Sequence, residues 1–173
     1  MITVVVVIAA LTIGVYRSMT RLSRELETMF YDGVYLEKDK YTQPGIDSQI
    51  KKYSNAALGL ATILNNYPVL TDRAEYALSL RQDLLNAVSI RDKSLAFRAL
   101  SHHVSGLAQA IQNAGLTPRD TEAVMQYFDT INGAETFIKN AAYDQIVSTR
   151  WNEQSSFARL ICMLIPVKEP DLF

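Results

Sequence analysis

The sequence has few of the residues that make turns or disulfides, and its charges nearly cancel. It contains seven Gly, five Pro and one Cys in 173 residues. A single Cys excludes a disulfide framework and a four-Cys metal site. The 17 Lys plus Arg are balanced by 18 Asp plus Glu, so the chain lacks the basic field that attracts a nucleic-acid backbone. The scarcity of turn-forming residues favours long helices over many short strands, in a chain long enough for one core.

The first part of the chain is apolar and carries no charge. Residues 2–15 are rich in Val and Ile, and the run ends at Tyr16 and Arg17. As a helix it would cover about 22 Å of a hydrocarbon core roughly 30 Å thick. Tyr16 can lie at the interface, Arg17 can extend to the headgroups, and a thinner bilayer can accommodate the remaining mismatch. We therefore predict that residues 1–16 form a single-pass transmembrane anchor.

Two other interpretations of this run have less support. Four consecutive Val residues suit a buried parallel strand, but no comparable β-branched run occurs later to pair with it. A cleaved secretion signal would have a basic region first, and only Met1 precedes the run. Because Arg17, Arg21 and Arg24 come after it, the positive-inside rule predicts that residues 17–173 lie in the cytoplasm.

Beyond the anchor, apolar residues recur every three or four positions, which is the spacing of one helix face. The first stripe predicts a continuous helix to about Leu36, with the charged segment 37–40 as a solvated face or helix end. A second helix is expected from near Ile46 to the break at 65–68.

The second half of the chain has clearer start and stop signals. Thr71 or Asp72 can cap a third helix, which the polar segment 89–94 either bends or ends. A further stripe runs to Gly115, which suits a left-handed helix end. Capping by Thr117, with Pro and Asp in the first turn, then predicts a last long helix carrying Val124 through Thr149 on one face.

These patterns predict an all-α fold class. We expect an N-terminal transmembrane helix that continues into an antiparallel bundle of four or five long helices. The predicted domains are the anchor at 1–16 and the bundle at 17–173. Within the bundle domain, residues 160–166 form an apolar tail that is too short to span a bilayer.

The order of residues near the two ends of the chain matches a known pattern. In the first helix the matching residues are Tyr16, Met19, Leu22, Leu26, Met29, Phe30 and Asp32, and Val34 and Leu36 follow one position earlier than in the pattern. Later matches are Pro44, Ile46, Ile50, Lys51 and Tyr53, then Gly133, Glu135 and Ile138, and finally residues 157–168, Pro170 and Phe173. This pattern resembles the LemA family of membrane-anchored bacterial proteins. The resemblance implies a membrane span followed by a helical bundle, in the inner membrane of a bacterial cell, and no established catalytic chemistry.

The chain departs from that family in its middle. Glu37, Lys38, Asp39 and Lys40 stand where the family has a basic pair. Phe30 replaces a Trp, and an insertion falls around residues 65–73. The resemblance therefore covers the two ends of the chain better than its centre.

No set of residues has the spacing of a catalytic or metal site. His102 and His103 are adjacent, so on a helix they point about 100° apart and cannot chelate one metal from one face. Cys162 lies in an apolar run, which is typical of an inert buried thiol. The phosphate-loop, dinucleotide, zinc-protease and hydrolase motifs are missing. We therefore predict no catalytic, cofactor-binding or metal-binding residue and no cofactor.

Glu135 is the most unusual single position, because it falls where the helical stripe expects an apolar residue. One interpretation is a structural pairing with an Arg or Tyr from a neighbouring helix, or a rotated stripe that leaves the carboxylate exposed. The other is a ligand of a bundle metal site, which would need Glu-x-x-His pairs that the chain lacks. Asp32 and Asp47 do not supply the missing ligands.

The favoured function is a non-enzymatic, membrane-anchored helical scaffold or adaptor for another inner-membrane protein. Its predicted partners are the lipid bilayer and a membrane protein of unknown identity, without nucleic acid, and self-association is left open. The alternative is an extracytoplasmic sensor that binds a small ligand between its helices. A hidden hydrolase or metal enzyme is the third hypothesis.

Overall fold

The computed structural model describes residues 2–37, 40–162 and 169–173. The described residues are mostly helical, so the all-α prediction is confirmed, with one short hairpin added. The helices are α1 (Ile2–Asp32), α2 (Ile46–Leu64), α3 (Thr71–Asn86), α4 (Ile90–Gln112), α5 (Pro118–Lys139) and α6 (Tyr143–Cys162), and the strands are β1 (Val34–Leu36) and β2 (Tyr41–Gln43).

These elements form two compact units. Unit 1 comprises Met1–Gly45 and Ala142–Leu172, and unit 2 comprises Ile46–Ala141 with Phe173. Unit 1 therefore contains α1, the hairpin and α6, whereas unit 2 contains α2, α3, α4 and α5.

The core of unit 1 is the contact between α1 and α6. The Phe30 and Tyr143 rings meet edge to face, with centroids 5.7 Å apart, and the Tyr143 hydroxyl donates to the Asp171 carbonyl oxygen at 3.0 Å. The spacing of the buried residues on α1 is the helical stripe that the sequence predicts. The buried residues of the two helices include Met19, Leu22, Leu26, Phe30, Tyr143, Val147 and Trp151.

The prediction that the first helix continues to Leu36 is wrong. The helix ends at Asp32 because Gly33 has a φ of +99°, a left-handed conformation that suits a glycine. The chain then forms the antiparallel hairpin of β1 and β2, in which Tyr35 pairs with Thr42. Instead of lying on a helix, Glu37 and Lys40 lie in the hairpin turn, joined by a 3.4 Å backbone hydrogen bond.

Unit 2 is organised around α2, which packs against α3 and α5, while α3 also packs against α4. The predicted start near Ile46 and the stop before residues 65–68 are confirmed. The buried stripe of α2 includes Ile50, Tyr53, Ala57, Leu60, Ala61 and Leu64.

The helix ends of unit 2 test the capping predictions. Thr117 caps α5 by accepting from the Asp120 N–H at 3.2 Å, as predicted. Ser89 caps α4 by accepting from the Asp92 N–H at 3.0 Å, so the polar segment 89–94 starts α4, three residues after α3 ends at Asn86. The predicted cap at Thr71 or Asp72 is wrong: the cap position is Leu70, which has no side-chain oxygen to accept a bond.

The predicted last helix is divided into two. Helix α5 ends at Lys139 and α6 begins at Tyr143. The Asn140 side-chain amide donates to the Thr136 carbonyl at 2.9 Å, which satisfies a carbonyl at the helix end. The Ala142 N–H donates to Gln43 Oε1 of β2 at 3.2 Å, a long-range bond that the helical stripe could not indicate.

The structure does not support the predicted transmembrane span. Residues 2–16 belong to α1, yet no helix in the described part of the chain combines the length and apolar character needed to cross a membrane. Of the predicted tail, residues 160–162 end α6, and residues 163–166 lie outside the described residues.

We predict that Gly33→Ala destabilises unit 1 by about 1–3 kcal/mol, because a β-carbon would collide with the Gln43 carbonyl and φ would be strained. Urea unfolding followed by the fluorescence of Trp151, the only Trp, would measure the loss. Gly14→Ala is the control in the same unit, since in the described part of the chain nothing outside the backbone of its own helical turn lies within 4 Å of the added β-carbon. An unchanged transition for Gly33→Ala would contradict this account of the helix end.

Candidate functional site

The first candidate feature is the exposed apolar segment of α1, residues 9–16. Leu11 and Ile13 are 58% and 53% exposed, and Tyr16 is 44% exposed. Three residues further along the same helix, Met19 is 3% exposed and begins the buried stripe. Within one turn of α1, the apolar side chains therefore change from exposed to buried in the core of unit 1.

A charged cleft in unit 1 lies directly after this segment. It has a volume of about 440 Å³. Among the described residues, neither of its arginines is ion-paired with a carboxylate. Guanidinium and carboxylate groups beside an apolar segment can bind polar groups of either charge. The residues lining the cleft are Ser18, Arg21, Leu22 and Glu25 from α1 and Arg150 and Glu153 from α6.

Unit 2 contains an apolar cleft near the end of α4 and the first turns of α5. Its volume of about 380 Å³ lies at the lower end of the range for small-molecule sites. The turn that forms one wall contains Gly115, whose φ of +63° confirms the predicted left-handed position. Other lining residues include Ile111, Leu116, Val124, Met125 and Phe128.

Glu135 is a half-buried, ion-paired carboxylate. Its Oε1 accepts from the Ser101 hydroxyl of α4 at 3.0 Å and lies 2.8 Å from Lys139 Nζ, one turn along α5. Burial raises the pKa of Tyr53 on α2, and the negative charge of Glu135 contributes to the rise. The structure thus provides Glu135 with structural partners, although they are a Ser and a Lys in place of the expected Arg or Tyr.

The two histidines are not brought together as ligands. His103 Nε2 lies 2.8 Å from the Arg73 carbonyl oxygen, and its ring stacks edge to face on Tyr76 with centroids 4.8 Å apart. His102 and Asp32 are exposed. The described residues include no group of three or more His, Cys, Asp or Glu side chains that could hold a metal ion. The side chain of Cys162 is not among the side chains that the structure describes.

Asp47, the buried carboxylate of α2, has a role that the sequence patterns did not predict. Lys93 Nζ lies 2.5 Å from one of its oxygens and Lys51 Nζ lies 2.7 Å from the other. Burial acts to raise the pKa of Asp47, but the hydrogen bonds and positive charges of the two lysines outweigh it and lower the pKa. The pairing holds the start of α2 to the start of α4. Of the two ion pairs of Asp47, sequence spacing could have indicated only the pair with Lys51, which lies four residues later on the same helix.

Tyr67 is a second residue that no pattern in the sequence indicates. Its hydroxyl donates to Asp120 Oδ2 at 2.5 Å and accepts from the Thr117 N–H at 3.1 Å. Hydrogen bonds with the side chains of Tyr67 and Thr117 lower the pKa of Asp120. This network fixes the turn after α2 to the first turn of α5.

We predict that Asp47→Asn lowers the free energy of unfolding by about 1–3 kcal/mol at neutral pH, because Lys93 keeps only a neutral partner. The pKa of Asp47 is below its ordinary value of 3.8 in the folded chain. The contribution of Asp47 to the free energy of unfolding is therefore complete at pH values above 3.8 and is lost as the pH falls through the pKa of the folded chain. Urea unfolding followed by far-UV circular dichroism at several pH values would measure the difference.

Lys51→Gln is the matched control for this experiment. The Lys51 side chain is 70% exposed, so its loss should cost no more than about 1 kcal/mol. A difference between wild type and Asp47→Asn that persists unchanged well below pH 3.8 would contradict the assignment of the effect to the ionised carboxylate.

Comparison with known proteins finds no relative: no protein-family model, no curated protein and no solved structure matches this chain. The resemblance to the LemA family accordingly stays a prediction from the sequence.

Proposed function

We propose that this chain is a non-enzymatic helical adaptor that is anchored in a bilayer through its first residues and binds another inner-membrane protein. In this proposal residues 1–16 insert into the bilayer and the rest of the chain lies in the cytoplasm. The similarity of the chain ends to the LemA pattern supports a membrane span followed by a helical bundle.

The observation that carries the proposal is the exposed apolar segment of α1. Placing Leu11, Ile13 and Tyr16 in water is unfavourable by about 25 cal/mol per Å² of apolar surface. Burial in lipid removes that cost, and residues 2–8 extend the segment without a charge. The insertion is short, so it requires a thinned bilayer or an interfacial position for Tyr16.

The charged cleft supports the location of the bilayer boundary. Ser18 and Arg21 lie two and five residues beyond the apolar segment, where the headgroup region would begin. Arg17, Arg21 and Arg24 also give the positive charge that favours a cytoplasmic location for the rest of the chain.

The polar clusters of unit 2 support a non-enzymatic function, because their side chains are paired with one another. Asp47 is paired with two lysines, Glu135 with Ser101 and Lys139, and Asp120 with a tyrosine hydroxyl. Each cluster is explained by the packing of unit 2. A catalytic site needs polar groups aimed at a substrate.

The cleft of unit 2 offers space for the second candidate, the sensor that binds a small ligand, although its lining is apolar and that function requires a polar pocket. Met125, which is 62% exposed, and Phe128 would form part of the binding surface. An extracytoplasmic location of the bundle is required for this function.

We predict that the full chain floats with vesicles of phosphatidylglycerol and phosphatidylethanolamine, and that Leu11→Asp with Ile13→Asp leaves it in the dense fraction. Each introduced carboxylate costs about 2.5–3.5 kcal/mol near the centre of a bilayer. The matched control is Val69→Asp with Val88→Asp, two exposed valines of unit 2, which should float as the wild type does. Equal flotation of both double variants would refute the anchor.

A reporter fused after Phe173 would test the orientation of the full chain. We expect signal from a reporter that works only in the cytoplasm and none from one that works only outside. The opposite result would overturn the charge argument and place the sensor function first.

A further inference from the structure

A groove in unit 1 has a strand as one wall and a helix as the other. Its volume is about 500 Å³, within the usual range for binding sites. All three residues of β1 line it. The other wall consists of Ala142, directly before α6, and of Gln145, Ile146, Thr149, Arg150 and Glu153 of α6.

The groove contacts β1 along its edge. Successive side chains of a strand point to opposite faces, so a space that touches Val34, Tyr35 and Leu36 together lies beside the backbone and not over one face. No residue of β2 lines the groove. Within the described ranges, the backbone groups of β1 bond only in the ladder with β2. The edge next to the groove thus carries N–H and C=O groups that can pair with another strand.

The opposite wall is one face of α6, and its length matches that of a short extended peptide. Positions 146, 149, 150 and 153 lie on one face of α6 at spacings of three and four. From Tyr143 to Glu153 the helix rises about 15 Å, which matches roughly four to five residues of extended chain at about 3.3 Å each.

The side chains in the groove define the chemistry of an occupant. Ile146 with the β1 residues offers apolar contacts for alternate side chains of an added strand. Arg150 and Glu153 are exposed and, in the described part of the chain, make no ion pair with one another or with a third residue. A charge of each sign beside the free edge is complementary to a peptide that carries both an acidic and a basic residue.

We propose that this groove binds an extended peptide segment of the partner protein, which adds to β1 as a third strand between the hairpin and α6. Main-chain hydrogen bonds to β1 supply affinity, and the α6 stripe selects the side chains. The inference rests on the proposed adaptor function for its biological meaning and gives that function a specific binding surface.

The test uses the full chain and a fluorescent peptide, acetyl-Lys-Thr-Val-Thr-Val-Thr-Glu-amide, whose binding is followed by fluorescence anisotropy. Two further peptides carry N-methyl groups, one on both Val residues and the other on the Thr residues that alternate with them. Because alternate N–H groups of a strand point to opposite edges, methylation should abolish binding in only one of the two peptides. Saturable binding with this one-sided loss is the expected result.

The variant Thr149→Trp fills the groove from its exposed α6 wall and should weaken binding by at least about tenfold. Thr28→Trp is the matched control, since Thr28 is exposed on α1 and does not line the groove. Far-UV circular dichroism checks that both variants keep the helical content of the wild type.

The proposal would be overturned by the absence of saturable binding of the parent peptide, by equal binding of both methylated peptides, or by a folded Thr149→Trp variant with wild-type affinity. A dimer of the chain that the peptide dissociates would assign the groove to a second copy and would also overturn it. The assay contains no bilayer, so its outcome is independent of flotation. Peptide binding without flotation refutes only the anchor, and flotation without peptide binding refutes only the groove.

Discussion

The packing of α1 against α6 is the contact on which the rest of unit 1 depends. Phe30 and Tyr143 come from distant parts of the sequence, and their edge-to-face contact lies where α1 ends and α6 begins. This contact places the hairpin after Gly33 next to the first turn of α6, where Gln43 accepts from the Ala142 N–H. The charged cleft and the groove beside β1 both take one wall from α6. Any loss of this helix pair would remove both surfaces together.

The buried carboxylates of unit 2 and the exposed charges that line the clefts of unit 1 differ in their pairing. In unit 2 the buried Asp47 and the half-buried Glu135 are each paired with lysine, and pairing offsets the cost of removing a charge from water. In unit 1 the exposed Arg150 and Glu153 line open spaces and have no ion-pair partner among the described residues. Paired charges stabilise a fold, whereas exposed charges in a cleft are available to a ligand. This contrast is the physical reason for locating the proposed interactions in unit 1.

Helical periodicity predicted the bounds of α2, and capping chemistry predicted the start of α5 but not that of α3. The stripe on α2 and the cap at Thr117 were predictable because each depends on residues close together in sequence. The break at Asn140 was missed because the helical stripe continues through it, and the hairpin was missed because Gly33 fits the stripe as one more position. Gly33 and the charged segment 37–40 could have indicated a turn, but neither of them specifies that β1 pairs with β2.

By itself the sequence determined the all-α class, the bounds of α2, the start of α5 and the uncharged start of the chain, since these depend on local propensity and spacing. The tertiary structure alone decided that α1 packs with α6, that Asp47 meets Lys93 and that the free edge of β1 faces a helix. Those pairings join residues far apart in the chain, and their energy depends on distance and burial in three dimensions. No spacing along a single sequence contains that information.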